Sequence, residues 1–340
     1  MNTYDLTSTR RIQAAQRALS PVHFGFKPRE GIPHAWTKRF SEIGMVGFAM
    51  LSWHHANQQV PWGGASRHVL ETITEIQKQV WGIQDFYAQA PLELAIIQDT
   101  GGYIGVAYEL DKGFTEDGWL GFVLGYGSPR GVLVSHKLGI RPDQRSTGIG
   151  RHLKLLQAYE AVMAGHHTME WTFDPMRSHN AHFNFNKLGG TVERFTVSKY
   201  GPFRSELYGD VPSDRFVVTW RLTDPQVLAF LQRPIPPTLD LGAIPDVKAE
   251  ELSQVNDTPY LKFTIPRDID EFTAKEPEKA VQWRQDLHFI GTHFLDSKRP
   301  KQLEGHPHDP ALLTVEYSQG THRVTHFVDG CYVFTRKDKR

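Results

Sequence analysis

Apolar residues recur at helical spacing between residues 66 and 82 of the chain. Residues three and four positions apart share one face of a helix. Such a face is formed here by Val69, Ile73, Ile76 and Val80. The same spacing predicts helices over 146–164 and 178–190, and the second of these ends at the pair Gly189-Gly190, a common helix stop.

Shorter runs rich in β-branched and aromatic residues alternate with these predicted helices. Runs of this kind, bounded by turn residues, are typical of β-strands. The predicted strands cover residues 44–53, 92–98, 103–110, 119–127, 131–140, 168–175, 191–201 and 215–222. The mixture of helices and strands predicts an α/β (α+β) fold.

The character of the sequence changes after Leu222, where a proline-rich stretch begins. Beyond it we predict a strand at 260–266 and an α-helix with Trp283, Leu287, Ile290 and Phe294 on one face. Three strand-like runs finish the chain, and Asp329-Gly330 is a strong hairpin signal between the last two. The predicted segments are an N-terminal extension at 1–40, a core at 41–222, a proline-rich connector at 223–258 and a smaller C-terminal α/β unit at 259–340.

Composition narrows the function by exclusion. The 340 residues include 38 basic and 38 acidic ones, so no excess charge favours a nucleic acid or an anionic membrane as a partner. The one cysteine, Cys331, excludes an internal disulfide and a cysteine-based metal site. The first twenty residues lack the apolar core of a signal peptide. We therefore expect a soluble cytoplasmic protein.

Histidine-rich stretches give no good metal site, so we predict none. Neighbouring residues diverge on a strand and on a helix, which makes the pairs His54-His55 and His166-His167 poor chelators. A weaker candidate lies in a proline-containing loop and consists of His306, His308 and Asp309.

A glycine-containing turn between a predicted strand and a predicted helix carries the strongest chemical signal. Residues 145–150 are Arg-Ser-Thr-Gly-Ile-Gly. No Gly-Lys-Ser/Thr completes a Walker motif, and Leu153 occupies the place of the third glycine in the dinucleotide fingerprint. Backbone N–H groups at a helix start still attract anions, and glycines let a phosphate approach closely. Nearby positive charge can come from Arg141, Arg145, Arg151 and Lys154. The turn predicts a phosphate-binding loop, with a plain strand-to-helix turn as the alternative.

The pattern Arg-x-x-Gly-x-Gly after a strand and at a helix start resembles the pyrophosphate loop of the GNAT acyltransferase superfamily. Ile140-Arg141-Pro142 before the loop and Lys187-Leu188-Gly189 after the short helix agree with that pattern. More narrowly, the chain resembles a branch of predicted acyltransferases of uncertain substrate. The detailed likeness covers about Trp81 to Leu222, and the C-terminal unit resembles the branch less specifically.

This resemblance implies a mixed, splayed central sheet flanked by helices, with acetyl-CoA or another acyl-CoA as cosubstrate. Strand 131–140 would diverge from strand 168–174 to admit the pantetheine arm, and its backbone would polarise the thioester carbonyl. The implied cofactor-binding residues are Leu138, Gly139, Ile140, Arg145, Ser146, Thr147, Gly148, Ile149, Gly150 and Arg151.

The sequence departs from its relatives in the short helix. Many members carry a tyrosine there that protonates the leaving thiolate, but the matching position is Phe185. Asn184 replaces the usual leucine, and Ser178 stands where an asparagine is common. The family acid therefore has no counterpart here: the thiolate leaves unaided, another group serves, or catalysis has been lost.

Three residues are predicted to act in catalysis. Alternation places His136 with Val132, Val134, Leu138 and Ile140 on an apolar face, where it takes the amine proton or is a core histidine. Asp174 would receive a cationic amine or would instead stabilise a turn. Asn180, four residues before Asn184, would contact the substrate or face solvent.

We hypothesise a CoA-dependent N-acyltransferase that acts on a small amine by direct attack on the thioester. The acyl group is acetyl or a larger one such as succinyl, since the loop binds only the pyrophosphate. One alternative is a protein or peptide amine as acceptor. A second is a non-catalytic acyl-CoA-binding or sensing protein, and a third makes the C-terminal unit an oligomerisation arm. A homodimer is left open.

Overall fold

The computed structural model describes residues 6–51, 65–82, 88–128, 131–200, 213–235, 238–255, 257–302 and 313–338. Its α-helices are α1 (Leu6–Ala18), α2 (Ala65–Trp81), α3 (Pro91–Asp99), α4 (Ile149–Met163), α5 (Ser178–His182), α6 (Pro225–Gln232), α7 (Ile269–Lys275) and α8 (Pro277–Phe294). A π-helical turn, Phe183–Lys187, continues α5. No helix among these residues is long and apolar enough to cross a membrane.

The strands alternate with these helices, which gives the predicted mixed α/β fold with a large open sheet. They are β1 (Lys27–Pro28), β2 (Ala35–Phe40), β3 (Gly44–Met50), β4 (Tyr103–Glu109), β5 (Trp119–Ser128), β6 (Val132–Ile140), β7 (Thr168–Phe173), β8 (Thr191–Thr196), β9 (Arg215–Arg221), β10 (Tyr260–Thr264), β11 (Asp296–Gln302), β12 (Leu313–Ser318), β13 (His322–Val328) and β14 (Cys331–Arg336).

The chain forms two compact units. The first contains Met1–Glu170 and Arg221–Gln232, and the second contains Trp171–Trp220 and Arg233–Arg340. The predicted segments have different boundaries, at residues 40, 222 and 258, and they stay a prediction about domains.

The sheet of the first unit is mixed. Its strands follow the order β1 to β7, and each neighbouring pair through β6 is antiparallel. Strand β7 joins β6 in parallel through the pairs Val132–Thr168, Leu133–Met169 and Val134–Glu170. Helix α4 packs on one face of this sheet, where Ile149, Leu153 and Leu156 join the core. Helices α2 and α3 cover a second core cluster that includes Ile73, Ile76, Leu94 and Ile97.

Residues 92–98 were predicted as a strand, and this prediction is wrong because they lie in helix α3. Pro91 occupies the first turn of the helix, and the Glu93 carboxylate accepts a hydrogen bond from the Ala90 backbone N–H at 3.3 Å. Both features are helix-start signals. Leu94 and Ile97 are buried at helical spacing, whereas Leu92 and Ile96 are exposed. The run of seven residues is too short for its hydrophobic period to distinguish a helix from a strand.

The second unit has its own strands and helices. Strands β9, β8, β13, β14 and β10 are neighbours in that order, and β11 adds to β8 in parallel. Leu287, Ile290 and Phe294 of α8 are buried, as the sequence predicted. The predicted hairpin is confirmed: Asp329 and Gly330 join β13 to β14 with φ of 48° and 81°, as a type I′ turn requires.

Candidate functional site

The glycine turn connects β6 to α4, as predicted, but the helix begins three residues later than expected. A short 3-10 turn, Pro142–Gln144, follows β6, and α4 starts at Ile149. Ser146 and Gly148 both have positive φ, at 68° and 93°. Gly148 caps the helix in a left-handed conformation that favours glycine. The backbone therefore bends sharply just before the helix.

The first backbone N–H groups of α4 lie at this bend. The N–H of His152 donates to the carbonyl of Gly148 at 3.2 Å, which is the first backbone bond of the helix. The amides of Ile149, Gly150 and Arg151 precede it, at helix positions that have no intrahelical acceptor. They carry partial positive charge from the helix dipole, which suits an anion.

A second feature of the bend is a glycine that the fold does not require. A Cβ atom built on Gly150 would lie 3.5 Å from Ile140 Cγ1 and 3.6 Å from Leu138 Cδ2, which is ordinary van der Waals contact. Its φ is not positive either. Within the described part of the chain, neither space nor backbone conformation demands glycine here. The contacts also show that the loop and the Leu138–Ile140 segment of β6 lie together.

Two arginines of the loop, Arg145 and Arg151, point their side chains in different directions. Arg145 is exposed, and its guanidinium reaches the Val80 carbonyl at 3.4 Å. Arg151 turns away: it donates to the Leu231 carbonyl at 2.8 Å and lies over the Phe24 ring. Any contact between Arg151 and a phosphate would therefore use its backbone.

Lys154 was expected to add charge to the loop, and this expectation is wrong. Its side chain is only 2% exposed, and its Nζ donates to Ser135 Oγ at 2.8 Å. The hydroxyl of Ser135 in turn donates to Gln157 Oε1 at 2.7 Å. Burial holds the pKa of the Lys154 amine well below its usual value. Lys154 belongs to a buried polar network in the core.

His152, in the first turn of α4, forms a side-chain hydrogen bond with the backbone of the loop. Its Nδ1 lies 2.9 Å from the Gly148 carbonyl oxygen. Burial lowers the pKa of His152 to about 4, although this hydrogen bond opposes the shift. The imidazole is therefore neutral at pH 7 and donates from Nδ1 to the loop carbonyl.

His136 does not lie on the predicted apolar face. The pairs Leu124–Lys137 and Gly125–Ser135 leave His136 as the extra residue of a β-bulge in β6. A bulge interrupts the two-residue alternation of a strand. His136 is exposed, as is Val134 two residues before it at 41%, so His136 is not a core histidine.

The side chain of His136 is held by two neighbours. The Gln89 amide Nε2 lies 2.8 Å from His136 Nε2, and the Tyr126 ring packs edge-on with centroids 5.5 Å apart. Its role in proton transfer stays a prediction.

A set of polar side chains that the sequence analysis missed lies next to His136 in the chain and next to its partner Gln89. Lys137 donates from Nζ to Gln77 Oε1 at 2.7 Å and lies over the Trp81 ring, 5.4 Å from its centroid. The fully buried Gln77 also accepts from the Gln89 backbone N–H at 3.1 Å. The sequence held two signals for this polar set: Lys137 lies within a predicted strand, and Gln77 lies on the apolar face of a predicted helix.

Asp174 and Asn180 belong to the second unit, whereas His136 belongs to the first. Arg284 Nη1 lies 3.2 Å from Asp174 Oδ1, and the same carboxylate oxygen accepts from the Met176 backbone N–H at 2.9 Å. This is the turn chemistry named as the alternative for Asp174. Asn180 is exposed. Their catalytic roles stay predictions.

Asn184, by contrast, is buried and accepts from Trp171 Nε1 at 3.0 Å, so it has a structural partner.

Phe185, at the position where the sequence resemblance implies a tyrosine, is closed off from solvent. Phe185 is buried and packs against the ring of Tyr332, with centroids 6.0 Å apart. The Tyr332 hydroxyl donates to the Pro175 carbonyl at 2.6 Å. Burial raises the pKa of Tyr332 well above its usual value. Tyr332 stands next to Phe185 but is fully enclosed, so its hydroxyl has a structural partner.

No group of three metal-ligating side chains occurs among the residues that the structure describes. The histidine pair at 54 and 55 and the weak candidate at His306, His308 and Asp309 lie outside those residues.

Comparisons with known proteins gave structural matches only: no family model and no curated protein matches the chain. Nourseothricin acetyltransferase is 20% identical, with 37% of this chain and 68% of that chain covered at a TM-score of 0.31. A candidate acetyltransferase of the GNAT family from Desulfovibrio desulfuricans is 13% identical, with coverages of 52% and 99% and a TM-score of 0.38. A candidate acetyltransferase from Salmonella typhimurium, solved with its cofactor acetyl-CoA, is 19% identical, with coverages of 46% and 90% and a TM-score of 0.36.

One of these similar structures is an acetyltransferase and two are candidate acetyltransferases. Their identities and TM-scores are low, so they carry no conclusion about the function of this chain.

Proposed function

We propose that this chain is a CoA-dependent N-acyltransferase that transfers an acyl group to a small amine. The observation that carries the proposal is Gly150, a glycine that neither space nor φ requires, placed among the amides at the start of α4. A diphosphate that approaches these amides would explain why a side chain is absent there. The contacts of Gly150 with Leu138 and Ile140 put the loop beside the segment of β6 proposed to pair with the pantetheine arm.

The proposed reaction is a single displacement. The neutral amine attacks the thioester carbonyl carbon, the carbon–sulfur bond breaks, and CoA leaves as the thiolate. The nitrogen then gives up a proton, and we assign its uptake to His136, which is exposed on the bulge and held by Gln89. The thiolate leaves without a tyrosine acid at position 185, where Phe185 is buried.

A second candidate function is acyl-CoA binding without catalysis. The closed position of Phe185 and the structural hydrogen bond of Tyr332 favour it, because neither residue can protonate a thiolate. A protein amine as acceptor and a cytoplasmic location remain predictions of the sequence.

The two candidates differ in amine-dependent release of free thiol from acetyl-CoA or succinyl-CoA. We expect at least one small amine in a library to accelerate release, and His136→Ala to lower kcat and kcat/KM together by roughly a hundredfold. The matched control is His68→Ala, an exposed histidine on α2. Tight acyl-CoA binding with no amine-dependent release would establish the non-catalytic function instead.

A further inference from the structure

Lys137 occupies an unusual position for a lysine. It lies in β6 between the bulge residue His136 and the Leu138–Ile140 segment, so its Cα is one residue from the segment proposed to hold the thioester arm. Its Nζ is fixed at 2.7 Å from Gln77 Oε1 and lies 5.4 Å from the centre of the Trp81 ring. A flexible surface lysine would not be oriented in this way.

The environment of Lys137 raises the fraction of neutral amine. Its hydrogen-bond acceptor Gln77 is an uncharged amide and is itself fully buried. Burial lowers the pKa of Lys137 to about 8, and the charge of Glu93 opposes the shift only in part. At that value roughly a tenth of the side chains are neutral at pH 7, compared with fewer than about one in a thousand for an ordinary lysine. A neutral amine is the nucleophilic form.

We propose that Lys137 is an acyl acceptor within the protein itself. Its Nζ attacks the thioester carbonyl carbon of bound acyl-CoA, and the carbon–sulfur bond breaks. The proton lost by the nitrogen leaves with the sulfur, so that CoA is released as the thiol. The acyl group stays on Lys137 as an amide. This inference rests on the proposed function, because acyl-CoA must bind beside β6.

The test uses the full chain and acetyl-CoA with a deuterated acetyl group, which separates the reaction from acetylation acquired during expression. Peptide mass spectrometry should show the heavy acetyl group on Lys137, with one equivalent of thiol released per chain in the absence of any other amine. The initial rate should rise about tenfold from pH 6 to pH 7 and level off above about pH 8, following the neutral fraction.

Lys112 is the internal control, because it is exposed and its pKa is raised by its hydrogen bond to Glu109. It should be labelled at least tenfold more slowly than Lys137 in the same sample. The variant Lys137→Arg keeps the positive charge and should lose the amine-independent equivalent of thiol.

Acetyl-CoA binding is measured by calorimetry on the same preparation, which keeps the two proposals apart. Binding without label on Lys137, or equal label on Lys112, would overturn the self-acylation and leave the acyl-CoA site standing. Absence of binding would overturn both.

Discussion

Alanine at Gly148 separates the role of the loop from the strain of its backbone. Gly148 has a φ of +93°, and Gly165, beyond the other end of α4, has a φ of +88°. A Cβ at Gly148 would find its nearest atom 3.8 Å away, and one at Gly165 would find none within 4 Å. Both substitutions therefore cost about 1–2 kcal/mol of left-handed strain and no steric clash. Both should lower Tm by a similar amount, about 2–4 °C per kcal/mol.

Only Gly148→Ala should weaken acyl-CoA binding. Its methyl group would lie beside the His152 and Phe40 rings, at the residue that caps α4, so we expect the strained backbone to shift the α4 amides away from the diphosphate. Charge-assisted hydrogen bonds contribute about 1.5–3 kcal/mol each, so the loss of two would lower the affinity by more than about a hundredfold.

The assay is calorimetric titration of acetyl-CoA into both variants, with circular dichroism and Tm as checks of the fold. Gly165→Ala should bind like the parent protein. Equal affinities for the two folded variants would refute the phosphate-binding role of the loop, and the bend would then be a plain turn.

Three further predictions concern buried and partly buried polar groups. Lys154→Met should raise the free energy of unfolding at pH 7, because it removes a buried amine whose pKa is lowered in the folded state. In the parent protein the unfolded chain binds more protons than the folded one, so the parent gains stability as the pH rises toward about 10.4. Urea unfolding from pH 6 to 10 should show this slope for the parent and a smaller one for the variant; identical slopes would contradict it. Tyr332→Phe should cost about 1–3 kcal/mol of stability, because it leaves the Pro175 carbonyl without its hydroxyl donor, and should leave kcat unchanged. A loss of turnover in the folded variant would instead show a catalytic role for Tyr332. Arg284→Met should destabilise by about 1–3 kcal/mol, and a double-mutant cycle with Asp174→Asn should show coupling; additive effects would mean that the ion pair contributes nothing.

The strand, loop and helix around Gly148 could be predicted because each is specified locally. Alternation over 131–140, the glycines and the helical spacing after them lie within about thirty residues of one another. The N-terminal region was different. Helix α1 contributes Ala15 to the core but presents little apolar surface, and β2 (Ala35–Phe40) carries Thr37, Lys38 and Arg39, which hide its pairing with β3. Neither element has a local pattern strong enough to identify it.

The position of His136 depends on contacts that sequence spacing cannot show. The bulge lies opposite Leu124 and Gly125 of β5, and a Cβ on Gly125 would lie 2.8 Å from the Gln157 amide nitrogen. The register of β6 is thus coupled to a side chain of α4 more than twenty residues further on. A strict two-residue period puts His136 on one face with Leu138 and Ile140, and the bulge, which a sequence pattern does not show, interrupts that period.

The catalytic set is the least predictable part of the site. Asp174 is polar and precedes a proline, which suggested a binding group, but its partner Arg284 lies 110 residues away. Lys137 was overlooked because its lowered pKa arises from burial against α2, where Gln77 and Trp81 meet it. Titration behaviour of this kind follows from tertiary packing, and a single sequence does not contain it.

The central claim, a diphosphate held at the start of α4, is tested most directly by comparing acetyl-CoA with acetyl-pantetheine. Both carry the thioester and the pantetheine arm, and only the first carries the diphosphate and the adenosine 3′-phosphate. Acetyl-dephospho-CoA keeps the diphosphate and lacks the 3′-phosphate, so it should bind nearly as tightly as acetyl-CoA. Titration calorimetry of the unmodified protein should give an affinity at least about a hundredfold higher for acetyl-CoA, the equivalent of two charge-assisted hydrogen bonds. Equal affinities for the two ligands would contradict the account, because the loop between β6 and α4 would then contribute nothing to binding.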